Sequence, residues 1–68
     1  MIPINQINIG DMFQNPLFPD GNIYVVEDIN KEEKMIKVQA YSFNSYKPIL
    51  KPFWKKNTDR MFSESWRI

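Results

Sequence analysis

From Ile23 to Val26 every side chain is apolar, and Ile29 extends the run to the end of the stretch Asn22–Ile29. Counted by two, Ile23, Val25 and Ile29 share one face and Tyr24, Val26 and Asp28 the other. A strand apolar on both faces belongs in the middle of a sheet. Met35–Phe43 repeats the alternation, with Ile36, Val38 and Ala40 on one face and Lys37, Gln39, Tyr41 and Phe43 on the other. The polar residues Asn30–Lys34 lie between the two runs, so the spacing predicts a hairpin.

The same pattern extends outward with more interruptions. Ile9–Gln14 predicts a first strand, bent at Gly10, after a lead-in Met1–Asn8. Asn15–Gly21 holds Pro16, Pro19 and Asp20-Gly21, the chemistry of a turn-rich loop. Asn44–Lys47 reads as a second turn and Pro48–Lys55 as a fourth strand. Pro48 and Pro52 cannot donate to a ladder, which puts that strand at an edge or gives it a bulge. Asn57 or Thr58 is placed to cap a helical turn over Asp59–Phe62, and Ser63–Ile68 reads as a last strand. No window sustains a helical apolar stripe for more than about two turns. The expected core is Ile9, Phe13, Ile23, Val25, Ile36, Val38, Ala40, Met61 and Trp66.

This order of elements resembles the SH3-like small β-barrel. The resemblance is carried by Ile9-Gly10-Asp11-Met12-Phe13, the hairpin from Ile23 to Phe43, and Asn57–Trp66, and it covers residues 9–68. It implies a mostly β fold: a single small five-stranded barrel with a long first loop and one short 3₁₀ or helical turn before the last strand. The likeness is one of topology. The acidic first loop, paired Trp and Pro-Tyr pattern of the peptide-binding members are missing, so their proline-rich ligand does not carry over. An OB-like barrel is the second fold choice, for which the chain is short.

Length bounds the rest. With 68 residues the chain makes one domain, residues 1–68, with a stability of roughly 3–5 kcal/mol. It has no cysteine, which fits a reducing compartment. Met1-Ile2-Pro3-Ile4 lacks a basic n-region and an apolar h-region, and no run is long enough to span a bilayer. A cytoplasmic protein without a membrane partner is expected. Lys, Asn and Ile supply 7, 7 and 9 residues, a skew that suggests an AT-rich coding source such as a phage or mobile element.

Composition excludes more chemistry than it proposes. There is no histidine and no cysteine, which removes the commonest general base, the thiol nucleophile and the preferred transition-metal ligands. Glu27 and Asp28 point to opposite faces, Glu32 and Glu33 lie in a charged turn, and Asp11 after Gly10 reads as a turn residue. Gly10 and Gly21 alone cannot build a phosphate loop. No enzyme activity, cofactor or metal is therefore expected.

Binding chemistry remains. The net charge of +1 divides into −4 over residues 1–34 and +5 over residues 35–68. Tyr46–Lys56, extended by Arg60, interleaves cations with aromatics. With 10 aromatics the chain holds more than so small a core accepts, and Tyr24, Tyr41, Phe43 and Tyr46 are expected at the surface. The candidate binding residues are Tyr41, Tyr46, Lys51, Trp54, Lys55, Lys56 and Arg60. Two readings follow. One is a non-catalytic adaptor or inhibitory protein that docks a protein partner or self-associates. The other is a nucleic-acid-binding barrel that uses the basic, aromatic segment 46–60.

Overall fold

A computed structural model describes residues Met1–Ile68. Four strands form one antiparallel sheet: β1 (Met12–Phe13), β2 (Ile23–Asn30), β3 (Met35–Tyr41) and β4 (Phe53–Lys56), in the order β1-β2-β3-β4. Two 3₁₀ turns, Ile4–Gln6 and Arg60–Phe62, flank it, and there is no α-helix. No helix is long and apolar enough to cross a membrane. The mostly β class holds. The five-stranded closed barrel does not: the sheet is open, with β1 and β4 at its edges.

The missing fifth strand has a local cause. Ser63 accepts from the Trp66 and Arg67 amides at 3.1 and 3.2 Å, so Ser63–Trp66 coils instead of extending. Only Arg67 is left to bridge Phe13, with backbone bonds from Gln14 to Trp66 (2.7 Å) and from Ile68 to Met12 (3.0 Å). Arg67 also ties the chain's two ends together, donating from Nη2 to the Gln6 carbonyl at 3.1 Å.

The first strand is shorter than Ile9–Gln14. Asn8–Asp11 is a β-turn closed by the Asp11 amide on the Asn8 carbonyl at 3.0 Å, with Gly10 at φ 95° in its third position. Asp11 Oδ2 accepts the Asn8 amide at 2.8 Å, the turn role expected of it. Ile9 sits at the tip, 67% exposed, and leaves the expected core.

A bulge decides which face of β2 is buried. Val26 pairs with Val38, but Asp28 pairs with Lys37, so Glu27 has no partner. The extra residue shifts the alternation by one. Tyr24, Val26 and Ile29 therefore share the core face, and Ile23 and Val25 point the other way. In β3 the core face is Ile36, Val38 and Ala40, as the pattern predicts.

The core is one layer on one side of the sheet. Phe13, Val26, Ile36, Val38 and Ala40 meet Ile2 and Ile7 of the opening segment and Met61 and Phe62 of the second 3₁₀ turn. Phe13 and Phe62 pack edge to face at 5.4 Å. The Ile2 amide donates to the Phe62 carbonyl at 3.1 Å. The cap of that turn is Asp59, whose Oδ1 accepts the Met61 amide at 3.1 Å, instead of Asn57 or Thr58. Trp66 is half-buried at the core margin. The molecule is a slab, 34 × 24 × 16 Å, with nothing comparable packed on the sheet's second face.

The expected strand Pro48–Lys55 is broken in two. Pro48 bridges Tyr41 and the Ile49 amide donates to the Ala40 carbonyl at 3.1 Å, but pairing resumes only at Phe53, opposite Val38. Leu50, Lys51 and Pro52 thus stand against Gln39 alone, an interruption that the two prolines favour.

Candidate functional site

The second face of the sheet carries Met12, Ile23, Val25, Gln39 and Tyr41 toward one end and Asp28, Met35, Lys37, Trp54 and Lys56 toward the other. Register sets Met12 beside Val25 and Val25 beside Gln39, with Ile23 opposite Tyr41. The Ser42–Lys47 turn, closed by the Ser42 amide on the Lys47 carbonyl at 2.9 Å, brings Tyr46 over this row. Tyr46 holds a left-handed φ of 55°, a conformation that costs a residue with a Cβ about 1–2 kcal/mol. Met12, Ile23, Val25, Tyr41 and Tyr46 together line a concavity of about 240 Å³, with no charged residue among them and the two tyrosine hydroxyls as its polar side-chain groups. That is below the roughly 300–1,000 Å³ of small-molecule sites, and suits a single protruding side chain.

Gln39 anchors the loop above this face. It is a buried polar residue, and its Nε2 donates to the carbonyls of Ala40, at 3.0 Å, and Leu50. The Leu50 bond spans the interruption in the edge strand. Gln39→Leu keeps the bulk and removes the tether. It is expected to cost ~1 kcal/mol in urea unfolding and to raise hydrogen exchange at the Ile49 amide. An unchanged midpoint and unchanged exchange would contradict the anchoring role.

The sequence-derived candidates separate into groups. Tyr41 and Tyr46 meet in the concavity. Trp54 and Lys56 lie on the same open face, and Lys37 Nζ stands 5.9 Å from the Trp54 ring centroid. Lys55 faces the other way, next to Phe53, with an ion pair to Asp59 at 3.5 Å. Lys51 is exposed in the interruption, and Arg60 is exposed at the start of the second 3₁₀ turn. The segment 46–60 therefore does not form one cationic track. Sequence reasoning missed the exposed Met12 and placed Ile23 and Val25, which are half-buried on the open face, in the core. The available signal was that both faces of Asn22–Ile29 are apolar while so short a chain has material to cover only one.

Charge is also uneven here. Lys37 and Lys56 on the open face, and Lys47 and Lys51 in the loop above it, make no ion pair; the three pairs in the molecule use Lys55 and Arg67. Asp28 is the one carboxylate on the open face of the strands, and its Oδ1 accepts the Ile29 amide at 2.8 Å. No protein-family model, curated protein or solved structure matches this chain.

Proposed function

We propose that the chain is a non-catalytic binding protein that docks a protein partner on the open face of its sheet. The observation that carries this reading is the apolar concavity formed by Met12, Ile23, Val25, Tyr41 and Tyr46. Phe43 and Leu50, in the turn and loop that follow Tyr41, are exposed apolar side chains as well. Burying one Leu or Phe side chain contributes about 1.5–3 kcal/mol. Micromolar affinity needs about 8 kcal/mol. The partner must therefore cover the face around the concavity, which favours a macromolecule over a small ligand. The lack of histidine and cysteine supports a binding role over catalysis, and the Lys, Asn and Ile usage supports a phage or mobile-element accessory or inhibitory protein.

Support for nucleic acid as the partner is thinner. Lys37 occupies a face of the Trp54 ring, and Lys55 is directed to Asp59 on the opposite side of β4.

A photo-crosslinking residue at Tyr46 tests the reading in the cells that make the protein. It is expected to trap a discrete protein adduct, while the same residue at Glu32 in the β2–β3 turn traps none. Equal adducts at both sites, or none at Tyr46, would count against docking on this face.

A further inference from the structure

We infer that the partner presents an acidic segment built around one large apolar side chain. This rests on the docking reading above and adds the chemistry of the occupant. The centre of the site is apolar, and the two cations on its face of the strands, Lys37 and Lys56, make no ion pair, with exposed Lys47 and Lys51 in the adjoining loop; the one carboxylate on that face of the strands, Asp28, stands opposite Lys37 in register. Glu27 stands at the bulge, and Glu32 and Glu33 lie in the turn beyond Met35, at the Lys56 end of the face.

Strand spacing and rise fix where the partner's charges must fall. Lys37 lies one strand and two residues from Val25, about 8 Å away; Lys56 lies two strands and four residues away, about 17 Å. On a helix rising about 1.5 Å per residue, carboxylates on the anchor's own face, about four or seven residues away for Lys37 and about eleven for Lys56, reach these lysines. On an extended segment the separation is about two to five residues. A second copy of the chain would bring the same unpaired lysines against one another, which disfavours self-pairing through this face.

The test is selection from a random 12-residue peptide library displayed on phage, with the full chain immobilised. Selected peptides are expected to be net acidic, with a large aliphatic or aromatic residue and carboxylates at the spacings above. Synthesised singly, they should bind about tenfold or more weakly to a Lys37→Glu, Lys56→Glu variant, and more weakly as salt rises. They should also lose affinity for Met12→Ser with Tyr46→Ser, which removes apolar lining without changing charge. All four positions are exposed or half-exposed, and a dispersed amide NMR spectrum checks that each variant folds. Neutral or basic peptides that are lost in the Met12, Tyr46 variant would keep the docking face and overturn the acidic partner. Peptides indifferent to that variant, or no enrichment over bare support, would overturn both. Salt-sensitive binding of labelled oligo(dT) that disappears in the lysine variant would replace the acidic segment with nucleic acid.

Discussion

Val38→Asp is expected to unfold the protein at 25 °C. Val38 is fully buried in the middle of β3, between Val26 on β2 and Phe53 on β4. No cation lies on the core face of the neighbouring strands beside it; Lys55, two residues along β4 from Phe53, is held by Asp59. An ionised carboxylate there is unpaired and dry, at a cost of several kcal/mol. A domain of this size has only roughly 3–5 kcal/mol to lose. Val25→Asp is the matched control. It belongs to the adjacent pair of the same ladder, half-buried on the open face, and should leave a folded protein. Circular dichroism and amide NMR of the two variants read the result. A dispersed spectrum for Val38→Asp would mean that the faces of β3 are assigned wrongly.

Ile2→Ala combined with Ile7→Ala is expected to abolish cooperative unfolding. Each isoleucine is 2% exposed and packs in the layer that covers the sheet, although neither belongs to a strand. A large-to-small change at such a site costs about 2–5 kcal/mol. Two of them exceed the stability available to a chain this short. Ile9→Ala, at the exposed tip of the Asn8–Asp11 turn, should shift stability by no more than about 0.5 kcal/mol. Thermal melts of the two variants and the parent separate the cases. A parent-like melt for the double variant would show that the opening segment is not part of the core.

These two variants also mark where the sequence was informative. The hairpin of β2 and β3 was legible because β-branched residues alternate on both sides of one polar turn. Ile36, Val38 and Ala40 were legible as core because β3 has no irregularity in its pairing with β2 until the bulge, and the bulge belongs to the other strand. The turn before the C-terminal segment was legible from its polar cap, shifted by one or two residues to Asp59. The burial of Ile2 and Ile7 was not legible, because a segment with Pro3 and no period of two gives no sign of which surface it covers. The Glu27 bulge was hidden for a different reason. Glu27 is an ordinary strand position until its partner strand fixes the register, and that one unpaired residue turned Ile23 and Val25 from the expected core to the open face. Of the candidate site, Tyr41 and Tyr46 were visible as aromatics in surplus and Trp54 through the cation–aromatic run 46–56, whereas Tyr24, expected at the surface, packs against the core; the aliphatic lining from β2 depended on the bulge.

The most direct measurement is methyl NMR in the presence of a soluble nitroxide, which broadens resonances that solvent can reach. The methyls of Met12, Ile23 and Val25 should broaden strongly, while those of Val26, Ile36 and Val38 stay sharp. Protection of Ile23 and Val25 equal to that of Val26 would contradict an open apolar face, and with it the docking function proposed for this chain.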